Sequence, residues 1–226
     1  MTIFLQRFFD ILFSGMALAF LAPLFILIII VLKFTGEGEI FFLQERIGRK
    51  KKKIRLFKFA TMIKNSENIG TGTVTLKNDT RILPLGHFLR KTKINELPQL
   101  INIFIGDMSI IGPRPQTERC FEAFPEESQA IITLVKPGLS GIGSIIFRDE
   151  EEMMHGHQDP DKFYDKTIMP FKGKLEEWYV QNNNIYYYFL LIFMTVLVVF
   201  SSKITFVWRL ISSLPRPNKE LSKYLF

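Results

Sequence analysis

The apolar positions of this 226-residue chain fall into two uninterrupted blocks and one patterned middle. The first block, "FFDILFSGMALAFLAPLFILIIIVLK", carries no charge over residues 11–32, a 22-residue run. At helical rise this run is long enough to cross a hydrocarbon core of about 30 Å. It is too long for a signal peptide, and no small-residue cleavage site follows it. Pro23 stands near its middle, where a proline removes a backbone donor and crowds the preceding turn, so a kink or break is expected. Hydropathy favours a kinked span; a helix that breaks and leaves on the face it entered is the alternative.

The middle, residues 36–184, reads as an α/β mixture. "IRLFKFATMI" (54–63) alternates as a strand does. "GTGTVTLKNDTR" is turn-rich. "RILPLGHFLRKT" sets Ile82, Leu85, Phe88 and Leu89 on one stripe and predicts a short helix. "NELPQLINIFIGD" predicts an amphipathic helix starting near Asn95 and stopping at Gly106. "PEESQAIITLVKPG" predicts another. "GLSGIGSIIFRDEEE" reads as a loop, a short strand and an acidic turn. The last block, 185–200, is sixteen residues, short for a span. Tyr186, Tyr187, Tyr188 and Trp208 are residues of membrane interfaces, and Lys203 and Arg209 are placed to snorkel. This block is expected to lie in or dip into the interface, with a tilted second span as the alternative.

Composition sharpens this picture. Lys and Arg outnumber Asp and Glu by 29 to 22, and 23 residues are Phe. A basic chain suits nucleic acid, an anionic lipid surface or phosphorylated substrates. The lack of any nucleic-acid motif leaves the first with little support. The run "RKKKK" (49–53) suits anionic headgroups, or a solvated turn. Lys33 and this run place the following chain in the cytoplasm by the positive-inside tendency. The single cysteine, Cys120, forbids an internal disulfide and fits a reducing compartment.

No Walker loop, CxxC pair, HExxH or GxSxG occurs. His155 and His157 sit in an acidic turn without a third ligand nearby. What the chain does offer is a set of phosphate-binding residue types: Lys58 on the expected strand, Arg90 before the expected helix, and Asn95 and Glu96 at its mouth. Asp107 follows, then "GPRP", whose prolines stiffen the backbone around Arg114 for bidentate phosphate recognition, and then Arg148. A carboxylate at such a place can hold Mg²⁺ together with substrate phosphates. Each residue also has an ordinary structural use. Asn95 is a favoured helix N-cap, and Glu96 suits a helix start without any function.

"FFLQERIGRKKKKIRLFKFATM", "DTRILPLGHFLRKTKINELPQLINIFIGDMSIIGPRP" and "KPGLSGIGSIIFRD" resemble the bacterial sugar transferases, the monotopic phosphoglycosyl transferases, over residues 8–180. The resemblance implies a small, mostly helical α/β domain on the cytoplasmic face of a bacterial inner membrane. It implies a re-entrant helix within residues 1–35 that breaks near Pro23, reversing the preference for a span. The catalytic domain would occupy 36–184 and an apolar membrane-associated helix and tail 185–226. The implied reaction moves a phosphosugar from a UDP-sugar to undecaprenyl phosphate, with Mg²⁺, and releases UMP. The family's Asp-Glu pair falls on Asn95-Glu96, with Glu96 the metal ligand; Lys58, Arg90, Asp107, Arg114 and Arg148 match its substrate-lining positions. Ala22 and Ala60 stand where the family commonly has serine and arginine.

The resemblance implies that the Asp of this pair is a nucleophile forming a phosphosugar-enzyme intermediate; a neutral amide is a poor nucleophile towards phosphorus, so that covalent route does not carry over as it stands. Direct attack by the lipid phosphate is the favoured reading. Glu96 as nucleophile, a substitution that traps a substrate complex, and a catalytically silent nucleotide-sugar binder or scaffold are the alternatives. The sugar is not legible, and the oligomeric state is open, a homo-oligomer included.

Overall fold

The computed structural model describes residues 2–69, 79–154, 157–200 and 205–226. The turn-rich stretch 70–78, His155 and Lys203 lie outside the described residues. In chain order the elements are α1 (Thr2–Phe34), β1 (Phe41–Ile47), β2 (Lys53–Phe59), α2 (Pro84–Lys91), α3 (Gln99–Ile105), β3 (Ser109–Ile111), α4 (Glu118–Glu122), α5 (Glu126–Ile132) and β4 (Gly138–Ser140). Then follow α6 (Ile142–Ile146), α7 (Glu150–Met154), α8 (Pro160–Phe163), α9 (Met169–Gln181), α10 (Ile185–Phe200), α11 (Phe206–Leu210) and α12 (Lys219–Leu225). The fold is mostly helical, and its four described strands form two two-stranded pairs, β1 with β2 and β3 with β4. The chain packs as two units, Met1–Asp10, Arg46–Ile54 and Gly106–Phe226 in one, Ile11–Glu45 and Arg55–Ile105 in the other.

In the first unit, β3 and β4 run parallel, with Ser109 opposite Gly138 and Ile111 opposite Ser140. Helix α10 packs on this pair and on α6. Its buried residues Tyr188, Leu191, Met194 and Val198 share one face, and Ser140 Oγ meets Thr195 Oγ1 at 2.8 Å. Full burial of such a side chain contributes about 1.5–3 kcal/mol. The opposite face exposes Tyr186, Phe193 and Val196, so the helix is apolar there as well as on the face it buries. The segment "GIGSIIF" is helix α6, not the expected strand, and the acidic turn after it is helix α7. Its apolar residues are too few to show a period; Ile142, Ile145 and Ile146 are all buried, and α6 packs on α9. Gly143 permits that approach, because a Cβ there would run into the Glu176 carboxylate on α9.

Asp10 fastens the start of α1 to this unit. Its Oδ1 accepts from Ser109 Oγ at 3.0 Å, Ile110 N–H at 2.9 Å and Tyr188 Oη at 2.8 Å, all out of water. Phe9 packs edge-on against Phe189. His157 donates to or accepts from Tyr224 Oη at 2.9 Å and stacks on Phe163, which accounts for it structurally.

In the second unit α1 continues as one helix through Pro23, so the break in the helix expected there does not occur. Phe25, Ile28 and Leu32 form a core with Phe59 of β2 and Leu89 of α2. The ring of Phe104 on α3 lies against Gly15. Phe20, Leu27 and Phe34 face outward and are exposed. Strand β2 ends at Phe59, short of the expected Ile63; Met62 makes only an isolated bridge to Ile82. β1, which the sequence reading passed over, supplies its partner.

Candidate active site

The site grows from the chain reversal after α2. Thr92 closes that helix, its hydroxyl donating back to the Phe88 carbonyl at 2.8 Å. Lys93 then adopts the left-handed conformation (φ 59°) and turns the chain. Ile94–Glu96 make a single 3₁₀ turn, with Glu96 N–H on the Lys93 carbonyl at 3.1 Å. α3 begins only at Gln99 and stops at Ile105, where Gly106 (φ 102°) supplies a conformation side chains resist.

This removes the ordinary structural use offered for Asn95, a helix N-cap. It lies inside the 3₁₀ turn, its side chain caps nothing, and it is 8% exposed. Its Oδ1 is buried without a hydrogen-bond partner. An unsatisfied buried acceptor costs about 1–3 kcal/mol, and such atoms in a native fold call for an explanation. Next to it, Glu96 Oε1 stands 3.7 Å from Lys58 Nζ, and both side chains are mostly shielded from solvent. Arg90, in the last turn of α2, lies in the same unit with Nη1 3.8 Å from Met62 Sδ.

The residue that aligns Lys58 with Glu96 is one the sequence reading passed over. Asn102, fully buried on α3, accepts from Phe57 N–H at 2.9 Å and donates to the Arg55 carbonyl at 2.8 Å. Its side-chain amide thus imitates a neighbouring strand along β2 and ties α3 to the strand that carries Lys58. An Asn in an apolar helical stripe, at a position that should be hydrophobic, was the available signal.

Asp107, Arg114 and Arg148 belong to the other unit. Asp107 is exposed directly after Gly106, and Arg148 is exposed just past α6. Arg114 is held between Pro113 and Pro115, and its N–H donates to Glu176 Oε1 at 3.4 Å. Glu176 is fully buried; burial pushes its carboxyl up to about 7, against the opposing pull of Lys172 and of the Arg114 N–H. Lys172, equally buried, pairs with Glu150 at 2.6 Å. This buried acidic and basic group supports the GPRP loop from behind and left no mark in the sequence.

A family model described as bacterial sugar transferase matches residues 1–202. The chain belongs to the bacterial sugar transferase family. Among its curated relatives, the exopolysaccharide production protein ExoY of Rhizobium meliloti is 35% identical over 160 residues, covering 64% of this chain and 70% of its own length. The undecaprenyl-phosphate galactose phosphotransferase of Salmonella typhimurium is 32% identical over 194 residues, 79% of this chain and 37% of its own. The UDP-glucose:undecaprenyl-phosphate glucose-1-phosphate transferase of Escherichia coli is 36% identical over 143 residues, 62% of this chain and 31% of its own. The chain therefore spans about a third of the length of the two larger family members.

Proposed function

We propose that this chain transfers a phosphosugar from a UDP-sugar to undecaprenyl phosphate and releases UMP, on the cytoplasmic face of a bacterial inner membrane. The names of the relatives support the substrate classes. The observation that carries the reading is the shielded Lys58–Glu96 pair beside the unpartnered oxygen of Asn95.

In this reading an oxygen of the lipid phosphate attacks the β-phosphorus of the UDP-sugar. The bond from that phosphorus to the bridging oxygen breaks, and UMP leaves with the bridging oxygen. The sugar remains on the β-phosphate, now joined to the lipid phosphate as a diphosphate. The lipid phosphate is already a nucleophile, so Asn95 need not form a bond, and positioning with charge stabilisation carries the catalysis. Lys58 and Arg90 supply positive charge to the phosphates.

Glu96 and Asn95 Oδ1 are two hard oxygen donors that suit Mg²⁺, which takes one or two protein ligands and completes its shell with phosphates and water. Among the described residues no group of three His, Cys, Asp or Glu side chains forms a metal-binding cluster. When bound, Mg²⁺ would supply neutralisation of the diphosphate charge. The roles of Asp107, Arg114 and Arg148 as substrate contacts rest on the resemblance alone.

The same reading places α1 in the membrane without a full crossing. Its start is held by Asp10 in one unit and residues 25–32 pack in the other, while its outward side chains are apolar. Entry and exit on one face, by a bend that α1 would make at Pro23 while remaining helical, would put Arg7 and Lys33 on the cytoplasmic side. Single cysteines at Thr2 and Lys33 in a Cys120→Ser chain should then react with an impermeant maleimide from the same side; labelling from opposite sides refutes it.

The transfer is tested by UMP release from the purified chain with undecaprenyl phosphate, Mg²⁺ and a panel of UDP-sugars. Turnover with one donor that Glu96→Gln abolishes is expected. No turnover with any donor, or turnover indifferent to Glu96→Gln, overturns the reading.

A further inference from the structure

The first unit gathers three cations that the proposed transfer does not use. Arg7 comes from α1, Arg49 from the turn between β1 and β2, and Lys136 from the loop between α5 and β4. Arg49 Nε donates to the Leu134 carbonyl at 3.0 Å, and Lys50 N–H donates to the Thr133 carbonyl at 2.7 Å, so the basic turn is fastened to that loop. Arg7 and Lys136 converge over Gly106. A methyl group placed on that glycine would stand 3.2 Å from Arg7 Nη2 and 3.3 Å from Lys136 Nζ.

Like charges held this close oppose one another. Burial lowers the pKa of Lys136, and Arg7 and then Arg49 lower it further, while Asp10 and Asp107 partly offset them. An anion received between the cations would relieve that repulsion. The surroundings say which anion. Ile3 and Phe4 lie one turn before Arg7 on its own helix face, and both are exposed, as is Leu134 two residues before Lys136. A free phosphate has no use for bare apolar side chains beside its cations; a lipid headgroup brings acyl chains that cover them.

We propose that Arg7, Arg49 and Lys136 bind the phosphate headgroup of an anionic phospholipid, with Ile3, Phe4 and Leu134 against its acyl chains. This rests on the reading that α1 lies in the membrane, and it gives the chain a headgroup preference separate from its acceptor.

The test uses the full chain in neutral detergent, with native mass spectrometry of the lipid retained after adding dioctanoyl phosphatidylglycerol or the phosphatidylcholine of equal length. Retention of phosphatidylglycerol at least about tenfold above phosphatidylcholine is expected. Arg7→Gln with Lys136→Gln should erase that preference, while Lys219→Gln with Lys223→Gln on α12, an equal loss of charge elsewhere, should keep it. Arg7→Lys with Lys136→Arg keeps both charges and should keep the preference, so loss of fold in the glutamine pair does not hide the answer. Equal retention of the two lipids by the unmodified chain, or a preference unchanged in the glutamine pair, overturns the site. Displacement by inorganic phosphate as readily as by phosphatidylglycerol overturns the lipid assignment. So does a glutamine pair that retains lipid normally but requires more undecaprenyl phosphate for UMP release. UMP release from the same preparations separates the two failures: turnover without lipid preference sinks only this inference, and preference without turnover sinks only the transfer reading.

Discussion

Replacing Asp10 by alanine should unlatch the first turns of α1. One carboxylate oxygen accepts three hydrogen bonds, from Ser109 Oγ, Ile110 N–H and Tyr188 Oη, at 2.8–3.0 Å. Asp10 is 2% exposed and Tyr188 is fully buried, so water cannot take over. A hydrogen bond to a charged group contributes about 1.5–3 kcal/mol, and each donor left unpaired costs about 1–3 kcal/mol. Allowing for rotation of the two hydroxyls to weaker partners, Asp10→Ala should cost about 4 kcal/mol. For a chain of this size that lowers Tm by roughly 10 °C. Asp10→Asn keeps Oδ1 and loses only the charge, so about 1–2 kcal/mol is expected. Trp178 and Trp208 are both buried in the same unit, so their fluorescence on heating in detergent reports the loss directly. Tyr188→Phe alone should cost about 1–2 kcal/mol, and clearly less once Asp10 is already alanine, because the hydroxyl then has no acceptor to lose. A Tm for Asp10→Ala within about 2 °C of the unmodified chain would refute the latch. So would a Tyr188→Phe cost that is the same in both backgrounds.

Asn102→Ala should cost about 2 kcal/mol by stranding Phe57 N–H and the Arg55 carbonyl, and should lower kcat for UMP release more than it raises KM, since it loosens Lys58 from Glu96; equal kinetics would refute the clamp. Glu176 binds its proton more tightly folded than unfolded, so its contribution to stability is fully present below its ordinary carboxylate range and is lost as pH rises through about 7. The Tm advantage of Glu176→Gln over the unmodified chain should therefore grow between pH 5 and pH 8, towards a ceiling of about 3 kcal/mol; an advantage independent of pH would refute it. Asn95→Asp adds a carboxylate beside Glu96, so it should lower Tm without Mg²⁺ and gain more from Mg²⁺ than the unmodified chain does. Equal Mg²⁺ shifts in Asn95→Asp, Glu96→Gln and the unmodified chain would refute metal binding at this pair.

What depends on neighbours in the chain is legible in residue order. The uncharged run 11–32 had to be helix, because its backbone groups can be satisfied only internally in an apolar setting. The stripes around Leu89 and Leu100 marked α2 and α3, and Gly106 marked the stop. Lys58, Arg90, Asn95 and Glu96 were legible as a set by residue type, and they fall in one unit. Tertiary structure alone decided what depends on distant partners. Asn95 reads as an N-cap, yet the left-handed turn at Lys93 moves the helix start to Gln99 and leaves the amide oxygen unpartnered. Six apolar-rich residues after Gly141 suit a strand or a helix equally until α9 packs against them. Asp10 looks like a stray charge at the edge of a membrane segment; its meaning lies 178 residues away at Tyr188. Local pattern records which face of an element is apolar, but a buried polar side chain is explained only by the donor or acceptor that folding brings to it.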